Sequence, residues 1–308
     1  MSDNWCGDPT VGGEIVSDAL AQALVGALVL GSLYTVVGIG FVILYKATHV
    51  LNFAQGSLML LGGLIFFTIN QSMGVPWPFA MVLSLLAMSV IGSALYLVFF
   101  RRLVGAKEFT LVIATLGLSV VLLTVALIVW GPGTRTMPEL LSRQTLVSFG
   151  NLKFSSIDVF SIATALVVVF VLDLSLRHTR IGIKMRAVAD EPLLASLMKV
   201  NVNRMSAIAW GIAAFCAGVA GIAYSMRLSI DPVGLTGLGL LAFPAVLLGG
   251  LDSVRGVLVG GFLLAIVQSA ATYIFGGIWA DVSAYAVLLV VLLVRPRGFF
   301  GSRTAVRL

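Results

Sequence analysis

The sequence contains few charged residues, few cysteines and few histidines. Charged residues form 10% of its 308 positions, whereas an ordinary soluble domain has about 25%. Hydrophobic residues reach 59%, and the mean hydropathy is +1.09. This composition excludes an ordinary soluble domain and predicts a polytopic membrane protein. Two isolated cysteines, Cys6 and Cys216, exclude a disulfide framework. His49 and His178 form no cluster of possible ligands, so no metal site is predicted.

Charge is also missing inside the long apolar segments, which restricts the transport mechanism. No Asp, Glu, Lys or Arg occurs in residues 52–100, 109–133, 205–226 or 256–280. Ion-coupled carriers usually depend on a titratable carboxylate at membrane depth. The chain also lacks a Gly-x-x-x-x-Gly-Lys-Ser/Thr loop, so it does not hydrolyse a nucleotide alone. We therefore expect uphill transport to draw its energy from another subunit. Sodium coupling through backbone carbonyls stays open, as does a self-sufficient channel or facilitator.

Apolar runs define the fold class. Runs of about 18 or more residues are long enough to cross a hydrocarbon core of roughly 30 Å. They start near residues 19, 53, 78, 109, 157, 205 and 235 and are followed by runs at 256–275 and 282–294. We therefore predict an all-α integral membrane protein with eight or nine transmembrane helices. These helices form one permease domain, 19–294, without a separate soluble domain.

The distribution of Lys and Arg predicts the orientation. With the N-terminus outside, 15 of the 19 basic residues lie on the cytoplasmic side, as the positive-inside rule requires. Residues 1–18 then form an acidic outer tail without the basic region of a signal peptide. Residues 295–308 form a basic cytoplasmic tail. The outer loop, 131–156, contains two strand-like runs, 145–149 and 152–154, around a turn, which predicts a small hairpin.

The cytoplasmic loop, residues 177–204, carries six of the 19 basic residues. Asp190, Glu191 and Pro192 suit the first turn of a short helix. Four large apolar side chains would share one face of that helix: Leu193, Leu194, Leu197 and Met198. A helix this short does not persist alone in water, so the face must be covered by the same protein or by a partner. Alternatively, the basic residues of the loop serve only to fix the topology.

Two polar or glycine-rich interruptions are candidates for a solute path. The first contains Asn52, Phe53, Gln55 and Gly56 between apolar helices. The free N–H groups of a helix that starts here can face a carboxylate or an amide. The alternative is a tight loop with Asn52 as N-cap.

The second interruption is the glycine-rich stretch 248–256, which continues into Gly256 and Gly260, two small residues at four-residue spacing. Ala214 and Gly218 form a similar pair in the sixth run. Such pairs predict close helix packing. Near the end of the fifth run, Asp173 stands four residues before Arg177, which predicts an ion pair along one helix.

Three segments resemble a known family. Tyr-Lys-Ala-Thr-His-Val-Leu-Asn-Phe-Ala-Gln-Gly at 45–56, the basic segment 177–195 and Gly249-Gly250 are similar to motifs of the permease subunits of branched-chain amino-acid ABC importers. The resemblance extends in order over residues 20–298, and the Asn-Phe-Ala-Gln-Gly form is specific to one of the two permease types. It implies a multi-pass protein of the bacterial plasma membrane that pairs with a second permease and two ATPase subunits. An external solute-binding protein delivers the solute, and neither a cofactor nor a nucleic acid is implied.

The resemblance also implies roles for residues of the cytoplasmic loop. The four apolar side chains and Ala195 would enter the ATPase surface, while Arg186, Asp190 and Glu191 orient them. The chain departs from the family pattern at Lys199, where a glycine is usual. Further departures occur at Ser57, Asp252 and Arg255. Because family members also carry urea and short amides, the resemblance leaves the substrate open.

Overall fold

A computed structural model describes residues 9–138, 140, 144–149, 152–295 and 298–300. It is 81% helical, and the all-α membrane fold class is confirmed. Its α-helices are α1 (Pro9–Thr48), α2 (Gln55–Phe67), α3 (Trp77–Val98), α4 (Glu108–Trp130), α5 (Ser156–His178), α6 (Arg180–Asp190), α7 (Pro192–Leu197), α8 (Val202–Arg227), α9 (Pro232–Gly249), α10 (Val254–Phe275) and α11 (Ile278–Val294). A π-helical turn, Thr68–Ser72, extends α2, and a 3₁₀ turn, Phe100–Leu103, follows α3. The strands β1 (Thr145–Phe149) and β2 (Leu152–Ser155) form the predicted antiparallel hairpin.

The helix starts follow the apolar runs of the sequence. Every predicted start after the first lies within four residues of an observed helix start. The helix α1 begins earlier than expected, at Pro9, so the second half of the predicted outer tail continues this helix. Seven described helices are long and apolar enough to cross a membrane: α1 from Asp18 onwards, α3, α4, α5, α8, α9 and α10. The helices α2 and α11 are shorter, and the predicted total of eight or nine crossings depends on them.

The helices α1 and α8 form the centre of the bundle. Their most apolar 18-residue windows are 89% and 83% buried, against 17% for α4 and for α5. The outer faces of α4 and α5 carry exposed residues such as Ile128 and Phe170. In a bilayer these faces contact lipid chains, where a helix is stable because its backbone hydrogen bonds are internal.

Side-chain caps begin most of the later helices, because the first N–H groups of a helix have no partner within it. At the start of α5, Ser155 and Asp158 form a reciprocal capping box. Asn201 accepts a hydrogen bond from the backbone N–H of Arg204 (3.0 Å) at α8. Asp231 and Ser253 cap α9 and α10 in the same way. Polar residues between the apolar runs therefore fix where these helices begin.

Pairs of small residues let the central helices approach closely. A Cβ atom added to Gly62 of α2 would lie 2.5 Å from Cα of Gly218 on α8. Gly249 and Gly256 leave no room for a side chain where α9 turns into α10. The four residues predicted to pack helices all lie at crossings of this kind: Ala214, Gly218, Gly256 and Gly260. Lipid chains are as apolar as the helix surfaces, so the hydrophobic effect does not drive these helices together. Close packing at small residues stabilises their association instead.

The two ends of the bundle differ in their charged contacts. The loop end is the end that carries α6 and α7, and the hairpin end is the opposite one, which carries β1 and β2. At the loop end, Arg177 pairs with Asp173 at 2.9 Å, which confirms the predicted ion pair. At the hairpin end, Arg227 of α8 lies 3.5 Å from Asp158 of α5.

Candidate functional site

The chain is broken between α1 and α2 at the depth of the membrane interior. The amide Nε2 of Gln55, the first residue of α2, donates to the carbonyl of Ala213 on α8 (2.9 Å). Ala213 lies about 16 Å along α8 from its start at Val202, at 1.5 Å per residue. That distance is about half of a hydrocarbon core of roughly 30 Å. Residues 49–54 therefore return from the loop end to mid-depth without forming a helix, and α2 starts there.

Polar side chains satisfy the backbone of this broken segment. Thr115 Oγ1 on α4 accepts from the N–H of Phe53 (3.3 Å) and donates to the carbonyl of Leu51 (3.0 Å). Asn52 Oδ1 accepts from the N–H of Ala54 (3.2 Å). Without such partners, backbone groups at this depth would each cost several kcal/mol. The alternative expectation of Asn52 as N-cap is wrong, since Ala54 is the cap residue and Asn52 closes the turn just before it.

Two of the predicted path residues bind each other inside the protein. The Asn52 amide donates to Gln55 Oε1 (3.1 Å), and both side chains are fully buried. Gln55 in turn holds α8 through the Ala213 carbonyl. In the single chain, both amides therefore fix the start of α2, and solute can reach them only if this turn moves.

The other two predicted path residues pack against α9. A Cβ atom on Gly56 would meet the carbonyl of Thr236, and one on Gly239 would meet Cα of Gly56, so neither position has room for a side chain. The half-buried ring of Phe53 lies 5.2 Å from the ring of Phe243. Of the four predicted path residues, Phe53 is the one with exposed surface. This ring and its contact with α9 were not foreseen, because they depend on the approach of a helix 180 residues later.

The loop 177–204 contains two helices where the sequence predicted one. The helix α6 ends at Asp190. Its last hydrogen bond runs from the N–H of Glu191 to the carbonyl of Ala187 (3.2 Å). The helix α7 begins at Pro192, with Glu191 as its N-cap residue and no side-chain cap. The expectation that Asp190 starts the short helix is therefore wrong. Proline suits a first helical position but has no N–H to continue the preceding helix, so the break falls between Asp190 and Pro192.

The helix α6 is attached to the loop end of α1. Its side chains Met185 and Val188 are buried. His49, directly after α1, places Nε2 at 3.0 Å from the carbonyl of Ala189. Arg186 donates to the carbonyl of Arg177 (3.2 Å), which joins α6 to α5. These two hydrogen bonds attach α6 to the start of the broken segment and to α5.

The large apolar side chains of α7 are exposed at the protein surface. Ala195 is 4% exposed and faces the protein. The four large residues of the predicted face are Leu193 (71% exposed), Leu194 (57%), Leu197 (72%) and Met198 (80%). We call these four residues the α7 apolar face. Exposed apolar surface of this density on a short helix is typical of a protein contact.

Lys199 ends α7 in a left-handed conformation, with φ +61°. Its N–H donates to the carbonyl of Ser196, and the N–H of Val200 donates to Ala195, both at 3.0 Å. This pair of bonds is a Schellman motif, in which glycine is the usual left-handed residue. The left-handed backbone at this position explains why a glycine is usual here in the permease family that the chain resembles.

A cleft of about 750 Å³ lies at the loop end, beside α6. Its charged lining includes Arg186 and Asp190, the two residues predicted to orient the coupling helix. Asp173 on the opposite wall lies within ion-pair distance of Arg177 (2.9 Å) and of Arg255 (3.6 Å). The four-residue spacing of Asp173 and Arg177 predicted their ion pair from the sequence. The sequence contained no signal for Arg255, which lies in the first turn of α10.

The whole bundle is similar to known permeases. Residues 23–292 match the family described as the branched-chain amino acid transport system permease component. The high-affinity branched-chain amino acid permease BraD of Pseudomonas aeruginosa is 30% identical over 292 residues, which is 91% of this chain and 95% of that protein. LivH of Escherichia coli K12 is 28% identical, with the same coverage. The probable LivH permease of Methanocaldococcus jannaschii is 28% identical over 90% of this chain and 91% of that protein. The chain therefore belongs to the permease-component family of branched-chain amino-acid transport systems.

Proposed function

We propose that this chain is one of two permease subunits of an ATP-driven importer for amino acids, above all branched-chain or other hydrophobic ones. It is a multi-pass membrane protein of the bacterial plasma membrane, and its role is transport rather than catalysis. Its named relatives support the substrate class, since BraD and LivH are permeases of branched-chain amino-acid systems. The observation that carries the proposal is the exposed α7 apolar face, on a chain without a nucleotide-binding loop.

Two ATPase subunits would bind at the loop end, one of them over the α7 apolar face. Fully burying a large apolar side chain contributes about 1.5–3 kcal/mol. The exposed fractions of the four residues, 57–80%, therefore correspond to about 4–8 kcal/mol in total. Association costs a similar amount in lost freedom, so further contacts are needed. Arg186, Asp190 and Glu191, at the base of α7, supply charge to orient the docked helix.

A mechanical connection from α7 to the membrane interior runs through His49. Its ring contacts the carbonyl of Ala189 near the end of α6. Its backbone has a left-handed φ of +52°, and it is the first non-helical residue after α1. When the ATPase subunits move α7 and α6, we expect the pull on His49 to displace the turn that holds Asn52 and Gln55.

In this proposal, the solute passes beside the broken segment. A second permease would complete the path on the exposed side of Phe53. Displacement of the turn would then uncover the amides of Asn52 and Gln55, and the absence of a side chain at Gly56 would leave the backbone accessible. The hairpin end faces outside in the predicted orientation, so an external solute-binding protein would dock there, near β1 and β2.

The test of this function is uptake into sealed vesicles that contain the complete importer. Labelled leucine, urea and acetamide are presented with the purified binding protein, and ATP is supplied at the loop end. We expect ATP-dependent accumulation of leucine. Accumulation of urea or acetamide instead would change the substrate class. Equal accumulation without ATP would contradict the proposal and favour an ion-coupled carrier.

The mechanical connection is tested by His49→Ala in the same importer. We expect ATP hydrolysis to continue while the number of leucine molecules transported per ATP falls. The matched control is His178→Ala, which removes the other histidine of the loop end, also exposed. Equal transport ratios for the two variants would contradict a role of His49 in transmission.

A further inference from the structure

A second concave site lies between α1, α9, α10 and α11, away from the broken segment. Its volume is about 380 Å³, within the range of about 300–1,000 Å³ typical of small-molecule sites. Leu30, Leu238 and Leu241 contribute an apolar lining. Gly26 opens the site further, since a Cβ atom added there would meet nothing within 4 Å. We call this site the hairpin-side groove, because Tyr273 and Ala280 flank the turn from α10 to α11, at the end of α10 that is remote from the loop end.

The hairpin-side groove contains a buried acceptor that lacks a donor. Gln268 of α10 lines the groove and is 2% exposed. Its Nε2 donates to the carbonyl of Ala280 (3.3 Å). The Tyr34 hydroxyl interacts with this side chain, but no donor among the described residues reaches Oε1 with hydrogen-bonding geometry. A buried acceptor without a donor is unfavourable, so a donor from outside the chain would stabilise it.

The charge of the groove favours a cationic donor. Asp281, in the first turn of α11, also lines it. No cation among the described residues lies within ion-pair distance of this carboxylate. A primary ammonium group supplies three N–H donors and a positive charge. It therefore suits both Gln268 Oε1 and Asp281.

The remaining polar groups of the groove can serve a carboxylate. Ser269 and Tyr273, one helical turn apart on α10, both line it and carry hydroxyl donors. The Thr272 hydroxyl between them donates to the carbonyl of Gln268 (2.8 Å), so its proton is already used. The groove thus combines acceptors, hydroxyl donors and an aliphatic wall.

We propose that the hairpin-side groove binds the amino-acid zwitterion before it enters the central path. The ammonium group would bind Gln268 Oε1 and Asp281, the carboxylate would bind the α10 hydroxyls, and an aliphatic side chain would lie on Leu30, Leu238 and Leu241. The proposal rests on the proposed function as an amino-acid importer. It assigns the recognition of the ammonium group to α10 and α11, rather than to the amides of the broken segment.

Transport kinetics of the complete importer test this subsite. In Gln268→Leu and in Asp281→Asn, we expect the KM for leucine to rise about tenfold to about a hundredfold, as loss of a charge-assisted hydrogen bond requires. Stimulation of ATP hydrolysis by the binding protein should persist. The matched controls are Gln71→Leu and Asp18→Asn, exposed residues of the same types outside the groove. They should keep the wild-type KM.

Occupancy is measured with a reporter cysteine, Gly26→Cys, in a chain that also carries Cys6→Ser. The remaining Cys216 is fully buried. We expect leucine to slow the reaction of the new thiol with a water-soluble maleimide at least tenfold. An unchanged rate with saturating leucine, together with an unchanged KM in the groove variants, would overturn the subsite.

Three further outcomes separate the subsite from the proposed function. If the Gln268 and Asp281 variants lose the second permease from the purified complex, the groove is a subunit interface and the subsite is wrong. If the wild-type importer accumulates leucine while both groove variants keep its kinetics, only the subsite fails. If the wild-type importer accumulates no amino acid at all, the proposed function itself fails.

Discussion

Replacing Leu194 and Leu197 with aspartate should uncouple ATP hydrolysis from transport. Both side chains project from α7, with exposed fractions of 57% and 72%, so the substitutions disturb little packing within the chain. In the proposed complex, these side chains are buried in an ATPase subunit. The variant should therefore fold and insert normally but bind its ATPase poorly.

The exposed fractions of the two leucines determine how much docking free energy the substitutions should remove. At about 1.5–3 kcal/mol for a fully buried leucine, the two positions together contribute about 2–4 kcal/mol to docking. This loss corresponds to an ATPase affinity about 30-fold to about 1,000-fold weaker. Two buried aspartates would weaken docking further, because burying an unpaired carboxylate is costly.

The assay compares the amount of ATPase that copurifies with the permease and the rate of leucine uptake in vesicles. Lys184→Asp is the matched control, since it changes an exposed residue of α6 and alters the net charge by the same two units. We expect loss of uptake in the double variant and retention in the control. Unchanged uptake in the double variant, at equal expression, would refute the assignment of the α7 apolar face.

Three further substitutions test the structure behind these roles. Gln55→Ala removes the side-chain donor to the Ala213 carbonyl and the acceptor of the Asn52 amide, so it should lower the free energy of unfolding by about 1–3 kcal/mol; an unchanged thermal midpoint would contradict these bonds. Gly218→Leu places a side chain against Leu85 and Met88 of α3 and should abolish assembly, as judged by gel filtration, and a normal elution profile would count against the close crossing of α3 and α8. Lys199→Gly removes a left-handed lysine and should stabilise the chain by about 1 kcal/mol; a lower thermal midpoint would argue against the Schellman turn.

The membrane makes much of this fold predictable from sequence. A segment that crosses a hydrocarbon core must be apolar and must form its backbone hydrogen bonds internally, as a helix does. The length of an apolar run in the sequence therefore agrees with the length of the helix. Helix starts were predicted closely both where a side-chain cap interrupts the runs, as at Ser155 and Ser253, and where no such cap exists, as at α3 and α4. The early start of α1 also had a signal, since proline is favoured at the first helical position and Pro9 occupies it.

The helix α6 was missed although its signals are present. Thr179 accepts from the N–H of Gly182 (3.1 Å), a capping pattern that is visible in the sequence. Met185 and Val188 follow at helical spacing and are buried. The basic residues beside them are also typical of a loop that only fixes topology, so the sequence is compatible with such a loop as well as with an amphipathic helix.

The candidate site was predictable only in part. Polar residues between apolar runs indicated a break at Asn52 and Gln55, because backbone at membrane depth needs such partners. The partners themselves, Thr115 and the Ala213 carbonyl, come from distant helices, and only the packing of α4 and α8 identifies them. Gln268 had no signal at all, since a lone amide in an apolar run becomes informative only when its surroundings are known.

The central claim is that this chain transports solute only when ATPase subunits act on its loop end. It is tested most directly by reconstituting the purified chain alone, with its second permease, and with the complete set of subunits in sealed liposomes. The account predicts leucine accumulation against its gradient only in the complete set, with binding protein and ATP. Accumulation driven by an ion gradient in liposomes that hold this chain alone would contradict it.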